Sequence, residues 1–319
     1  MATPTHVIKI KGHGIHSGAP VTMTIRPSAQ PGIFFRRSDM GRDKVPATYD
    51  HVGATHLRNT TVGHCDGVHV QTVEHVMAAL FMAGIDRAVI DVDGPETPIC
   101  DGSADIFYRK ILAASPDPDF ASMRRIVVRR PVIVHARSVI RSLGWVTRIK
   151  LRLMNMITGR RMDGYVKLSP GTDHALTVRA TLVYPEKIIG HQSFEYTFDG
   201  TTRSRDNFLH NIARARTFGK YSEWEYLKRH GMGRGANSDN VIALNDAGDG
   251  TLNPLTWADE FVRHKIIDAI GDMATAGGFL CGVLDSYKGS HALNNLVLKK
   301  LFSDPANYDI IEPKETKGA

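Results

Sequence analysis

His264, Lys265, Asp268 and Asp272 crowd one short stretch, FVRHKIIDAIGD over residues 261–272. At about 100° per residue, Asp268 falls about 40° from His264, Asp272 about 80° and Lys265 about 100°. A helix there carries all four on one sector. Val262, Ile266, Ile267, Ile270 and Met273 pack the rest of the cylinder. His and Asp at i and i+4 are neighbours on a helix surface, and both are acceptable ligands of Zn²⁺. Such a pair alone is ordinarily a surface hydrogen bond. Here a lysine and a second acid share the face of an otherwise apolar helix, and buried polar groups need partners, so this face is expected to line a cleft.

A tetrahedral catalytic zinc needs a third protein ligand and an open position. Residues 72–80 (TVEHVMAAL) offer one. Thr72 is expected to cap this helix and Gly84 to stop it. With His75 as ligand, Glu74 is free to act as general base on a water. The order is Glu-His rather than HExxH, which excludes a thermolysin-like helix. On its own, Glu74-His75 is more often a solvated helix start than a catalytic pair.

The elements that must position these groups are short strands followed by helices. Strands are expected at 6–10, 21–26, 33–36, 68–70 and 87–92, and a helix over about 104–112. Residues 114–120 (ASPDPDF) carry two prolines and two acids and mark the expected domain boundary. Strand character restarts at 126–134 and returns at 175–183, 194–198, 240–244 and 279–284. Helices are expected at 207–216, 223–228 and 291–301. The class is α+β, with the layout of the first half repeated in the second and a polar tail that frays after Tyr308.

The chain has 319 residues and a formal net charge of +7. Residues 124–161 hold eleven of the 40 Lys/Arg and no acid, which leaves 29 bases against 33 acids elsewhere. The protein is near neutral with one basic segment that suits an anionic surface. Little aromatic residue is interleaved with that run, and no nucleic-acid partner is expected. Cys65, Cys100 and Cys281 form no CxxC, which points to a reducing compartment. The N-terminus lacks a signal-peptide core and no run reaches a membrane span; the expected location is cytoplasmic and the expected state a monomer.

Four stretches taken together, TVEHVMAAL (72–80), RARTFG (214–219), DEFVRHKIIDAIGD (259–272) and YKGSHALNN (287–295), resemble the motifs of the UDP-3-O-acyl-N-acetylglucosamine deacetylase family, in its order. This is the zinc amidase family of lipid A synthesis. GHGIHSG (12–18) and DVDGPETPICDGSADIF (91–107) add to the likeness. The resemblance implies two two-layer α/β sandwich domains, residues 1–116 and 124–305 with a tail at 306–319, whose helical layers pack face to face with the zinc at their junction. It implies His75, His264 and Asp268 as ligands of Zn²⁺ (Fe²⁺ also suits two His and a carboxylate) and Glu74 as base. It implies His291 as the group that stabilises the oxyanion and protonates the leaving amine, on a nucleotide-sugar glycolipid substrate.

Given those roles, Asp272 can hydrogen-bond His291 and keep it protonated. Thr217 and Lys265 can supply oxyanion donors, and Phe218 a flat face for the sugar. The resemblance puts the acyl passage between Gly219 and about Thr251, where Tyr221, Trp224, Tyr226, Leu227, Met232, Val241 and Ile242 are the apolar candidates. A catalytically impaired relative that binds the glycolipid or a related acylated amino sugar is the alternative reading.

Three positions depart from the family pattern. Ser290 stands where the family usually has Gly before His291, Arg87 where it commonly has Asn, and RGANSDN (234–240) is an unusual small-residue loop. The largest departure is a basic insertion over about 135–165. Within it VTRIKLRLMNM (146–156) alternates like a strand with a basic outer face. A helix reading, with Arg137, Arg141, Arg148 and Arg152 on one face beside Trp145, resembles an interfacial amphipathic helix. Peripheral contact with an anionic membrane, capture of the nucleotide diphosphate and a solvated extension are all open for this segment.

Overall fold

A computed structural model describes residues 2–41, 43–53, 59–64, 67–115, 120, 123–142, 163–229 and 231–312. The first half comprises β1 (Ile8–His13), β2 (Pro20–Pro27), β3 (Gly32–Arg37), β4 (Lys44–Pro46), β5 (Thr61–Gly63), β6 (His69–Gln71), α1 (Glu74–Met82), β7 (Arg87–Val92) and α2 (Asp105–Ala113). The main sheet runs β1-β2-β7-β3-β4, and β5 and β6 form a separate ribbon. Alternation sets the sheet's faces: Val21, Met23 and Ile25 of β2 point inward and are buried. The ribbon pairs Thr61 with Gln71, which brings Thr60 beside the start of α1.

The second half comprises β8 (Arg125–Val128), β9 (Val132–His135), α3 (Ala136–Ser142), β10 (Tyr165–Ser169), β11 (Leu176–Val183), β12 (His191–Phe198) and α4 (Thr202–Asn211). It continues with β13 (Phe218–Lys220), α5 (Tyr221–Arg229), β14 (Ile242–Leu244), α6 (Glu260–Met273), β15 (Phe279–Tyr287), α7 (His291–Phe302) and β16 (Tyr308–Ile311). Its sheet runs β12-β11-β15-β10-β9, with β8 beside β15 and β16 on β8. The class is α+β, as expected. α1 packs on α6 and α2, and α6 packs on β11, β12 and α7.

All nine residues of α1 are buried, as suits a helix that is apolar all round apart from Glu74 and His75. One apolar core runs through both halves. Phe81 of α1 stacks on Phe279 of β15 at 5.0 Å, and Phe120 and Phe198 surround the same ring. Burying each such side chain contributes about 1.5–3 kcal/mol.

Several expectations shift. The strand expected at 126–134 is two strands, β8 and β9, because Pro131 has no N–H to donate to a ladder. The helix expected at 207–216 lies at Thr202–Asn211. Thr201, in extended conformation, caps it by accepting from the Ser204 N–H at 3.2 Å. Residues 212–217 are thereby left for loop contacts with α6. Tyr308–Ile311 is not frayed: it pairs antiparallel with β8, and the Tyr308 ring meets Phe302 at 4.9 Å.

The expected boundary at 114–120 lies mostly outside the described residues. The insertion leaves at the end of β9 and returns at the start of β10, where His135 and Tyr165 are cross-strand partners. A two-strand ladder therefore closes beneath it whatever its length. Its first residues form α3; the 146–156 stretch and Trp145 lie outside the described residues. Among the described residues no helix is long and apolar enough to cross a membrane.

Candidate active site

The site is assembled where α1 and α6 cross. A β-carbon on Gly271 would meet the backbone of Glu74 well inside 3.0 Å, so only glycine lets α6 come this close. The crossing sets Glu74 and His75, at the start of α1, against His264, Asp268 and Asp272 on α6.

α1 starts through an unusual turn. Thr72 does not cap it: its φ is +59°, and Val73 occupies the cap position with no side-chain bond. The Thr72 hydroxyl instead accepts from the Asn59 amide at 3.2 Å, and its carbonyl accepts from Thr97. The Thr60 carbonyl takes the Val73 N–H at 3.2 Å. Gly84 stops the helix as expected, at φ +69°.

The ligand atoms of His75, His264 and Asp268 lie within 4.8 Å of one another, and all three residues are buried. His264 Nδ1 donates to the Ala215 carbonyl at 3.0 Å, which turns the lone pair of Nε2 toward Asp268 Oδ1 at 3.3 Å. A ring nitrogen fixed by a backbone carbonyl is the usual support of a metal-binding imidazole. His75 Nε2 approaches the same oxygen at 3.7 Å.

Burial pushes His264 down to about 3, so its imidazole is neutral, as ligation requires. Burial would raise the Asp268 carboxyl, but the Lys265 ammonium, 2.7 Å from Oδ2, overrides it and holds Asp268 well below the usual range. A neutral imidazole, an anionic carboxylate and a second His converging in a buried pocket fit a divalent metal ion.

His291 stands at the first position of α7. Its Nδ1–H donates to Asp272 Oδ2 at 2.8 Å, and the same oxygen accepts from the Asn294 amide at 2.8 Å. Burial opposes the imidazolium, but the Asp272 charge and hydrogen bond, with Asp268 and Glu74 behind them, raise His291 to about 9. Glu74, next to His75 in the chain, is raised above its ordinary value by burial, with His291 and His75 drawing it back. The groups flanking the cluster are thus a cation-holding imidazole and a carboxylate, one able to give a proton and one to take it.

A cavity of about 330 Å³ opens on this cluster. Thr217, Phe218 and Lys265 line it near the polar end. The Thr217 backbone is pinned at both ends, donating to the Gly102 carbonyl at 2.9 Å and accepting from the Ile242 N–H at 2.8 Å. Lys265 Nζ sits 5.6 Å from the Phe218 ring centre. Of the apolar candidates, Trp224, Leu227 and Val241 line the cavity. Tyr221 and Tyr226 are exposed, and Ile242 belongs to the core.

Ile15 completes the apolar wall, brought there because the unusual loop bonds the first-half turn: the Arg234 and Gly235 N–H groups donate to His16 and Ile15 carbonyls at 3.1 and 3.0 Å. Ser290, the departure next to His291, caps α7 by accepting from the Leu293 N–H at 3.4 Å. Arg87 is remote from the cavity and donates to the Ala29 carbonyl at 3.0 Å.

Sequence reasoning missed Thr60, Asn294 and Glu260. Asn294, one turn beyond His291, had the helical spacing to be found. Glu260, wholly buried, accepts from the Arg216 N–H and guanidinium at 3.1 and 2.9 Å, tying the loop that ends in Thr217-Phe218 to α6. Thr60 carries no periodic signal.

An α+β fold with a buried His/His/Asp cluster, a buried carboxylate and an imidazole held by a second carboxylate defines a class: hydrolases with a candidate metal site. Residues 2–303 match the family model described as UDP-3-O-acyl N-acetylglycosamine deacetylase. Proteins named UDP-3-O-acyl-N-acetylglucosamine deacetylase are similar along their length. That of Myxococcus xanthus (strain DK1622) is 38% identical over 314 residues, covering 97% of this chain and 88% of the relative. That of a Nitratiruptor species is 36% identical over 312 residues, covering 97% and 92%. That of Legionella pneumophila (strain Corby) is 34% identical over 301 residues, covering 94% and 88%. The chain belongs to this deacetylase family.

Proposed function

We propose that the protein hydrolyses the N-acetyl group of UDP-3-O-acyl-N-acetylglucosamine, releasing acetate and UDP-3-O-acyl-glucosamine in lipid A biosynthesis, with Zn²⁺ held by His75, His264 and Asp268. The observation that carries this reading is the pairing of Glu74, next to His75 in the chain, with the Asp272-held His291, whose Nε2 lies 3.9 Å from Asp268 Oδ2. Zn²⁺ there supplies Lewis acidity, which polarises an amide carbonyl and acidifies water towards a pKa of about 7.

The chain's own residues do the proton work. Glu74 takes the proton of the attacking water. His291, protonated at Nδ1 toward Asp272, offers the Nε2 proton to the oxyanion and then to the leaving amine. The Thr217 hydroxyl and the Lys265 ammonium add donors for the oxyanion, although one Lys265 N–H is committed to Asp268. Phe218 offers its face to the sugar, and Trp224, Leu227, Val241 and Ile15 take the start of the acyl chain. No observation favours the impaired relative.

Cys100 and Cys281 are free, and burial pushes both thiols up to about 12, consistent with unreactive cysteines in a reducing cytoplasm. The basic segment at 135–165 would touch anionic lipid at the membrane surface. Binding to phosphatidylglycerol vesicles that survives deletion of 137–161 would end that part of the reading.

The test is acetate release by the purified protein as isolated, after chelation and after zinc add-back, beside His264→Ala. Activity lost to chelator, restored by zinc and absent in the variant supports the reading. No acetate from a folded, zinc-loaded sample refutes it.

A further inference from the structure

Every polar group of Thr60 is used, and each reaches a different part of the site. Its backbone N–H donates to Glu74 Oε2 at 2.9 Å. Its carbonyl accepts the Val73 N–H at the head of α1. Its hydroxyl donates to Asp272 Oδ1 and lies 3.2 Å from His291 Nδ1. A threonine hydroxyl has one proton and a carboxylate only accepts, so the Thr60 proton goes to Asp272. Its lone pair then faces the His291 Nδ1–H, which is shared between Asp272 and Thr60. One buried residue, 2% exposed, thus holds Glu74 from α1 and the Asp272–His291 pair from α6 and α7.

We propose that Thr60 is a positioning residue that fixes the proton acceptor and the proton donor of the reaction relative to each other, acting on the acceptor through its backbone and on the donor through its hydroxyl. This rests on the roles assigned above to Glu74 and His291. The physical need is plain. The acceptor and donor sit on helices from opposite halves of the chain, and misplacement by about 1 Å is enough to cost on the order of a hundredfold in rate. Asp272 Oδ2 is already saturated by His291 and Asn294. The Thr60 hydroxyl is the only group among the described residues seen to hold the other oxygen, Oδ1, and so to set the rotation of the carboxylate that aims His291.

The experiment is steady-state kinetics of the zinc-loaded full chain for Thr60→Val, Thr60→Ser and Thr60→Ala, with bound zinc and melting temperature measured on each. Expected for Thr60→Val is a kcat loss of about tenfold to a hundredfold, part of what general acid–base catalysis supplies, with KM and zinc content held. Thr60→Ser, which keeps the hydroxyl, restores kcat to within about threefold. Thr60→Ala carries the same test if the valine variant does not fold. Combining Thr60→Val with Asp272→Asn adds little to the loss of Asp272→Asn alone, because the hydroxyl acts through that carboxylate.

Wild-type kcat in Thr60→Val, a serine variant as impaired as the valine, or fully additive losses each overturn the inference. Glu74→Gln and His291→Gln run alongside keep the two readings apart. If both abolish turnover while Thr60→Val keeps wild-type kcat, only Thr60 is wrong. If either retains full activity, the acid and base roles themselves fall.

Discussion

Gly271 crosses α1 at the carbonyl of Glu74, so closely that any β-carbon there would breach the 3.0 Å limit against backbone. Backbone cannot step aside as a flexible side chain can. Gly271→Ala therefore drives α1 and α6 apart at the point where Glu74 and His75 face His264 and Asp268. Overpacking of this kind costs about 1–3 kcal/mol, and the melting temperature should fall by some degrees. Acetate release should fall further than stability alone explains, and zinc affinity with it. A variant with native zinc affinity and turnover would show that the crossing distance does not set the site.

Asp272 accepts from His291, Asn294 and Thr60 yet offers no atom to the His75/His264/Asp268 cluster. Asp272→Asn keeps the shape, but its amide offers a donor where a hydroxyl already donates. The expected result is a kcat loss of about a hundredfold or more, with one zinc still bound. Zinc loss comparable to that of Asp268→Asn would instead make Asp272 part of the metal support.

Ser290 sits at φ −152°, extended backbone open to every residue, so no glycine is needed before His291. Its hydroxyl caps α7 through a long bond of 3.4 Å. Ser290→Ala should cost about 0.5–1 kcal/mol, at the weak end for a lost cap, and Ser290→Gly only a few tenths. Neither should change kcat by more than about twofold, since neither alters the backbone that holds His291. Unfolding in urea ranks the variants, and a large rate gain in Ser290→Gly would show that the serine obstructs substrate.

The helical spacing of His264, Lys265, Asp268 and Asp272 was legible because a period of about 3.6 residues turns sequence distance into a shared face. The α1 start was less so: Thr72 has the residue type of a cap but adopts φ +59°, since Thr97 and Asn59, remote in sequence, hold the turn. The helix expected at 207–216 was displaced because its periodic residues run past Asn211. The chain there gives up helical bonds so that Ala215 and Arg216 can meet His264 and Glu260. Thr60 could not be read at all, for its partners lie as far as 231 residues away and a lone threonine carries no pattern.

Glu260 is wholly buried and its carboxylate is bound by the Arg216 guanidinium, the Arg216 N–H and the Thr256 N–H, the last at 2.5 Å. Deleting one partner of a buried ion pair leaves the other uncompensated, at a cost of about 3–5 kcal/mol. Glu260→Ala should show a loss of that order in equilibrium unfolding. Glu260→Gln, which keeps one acceptor, should lose less. A surface-like change below about 0.5 kcal/mol for the alanine variant would mean that the loop before Thr217 does not depend on Glu260.

On the first sheet, Asp91 gives a pH signature away from the candidate metal site. Burial would raise its carboxyl, but Arg36, at 2.6 Å, and Arg26, at 2.7 Å, hold it below the ordinary value. A carboxylate whose pKa is lowered by folding adds stability that is fully present above its unfolded value of about 3.9 and is lost as pH falls through the folded value. Wild-type stability should therefore decline on acidification below about pH 4. Asp91→Asn should be less stable at neutral pH, because two arginines lose their anion. It should also decline less steeply on acidification, because the titrating group is gone. Thermal unfolding across that range reads both effects. Parallel curves for the two proteins would show that Arg36 and Arg26 do not stabilise the sheet through the charge of Asp91.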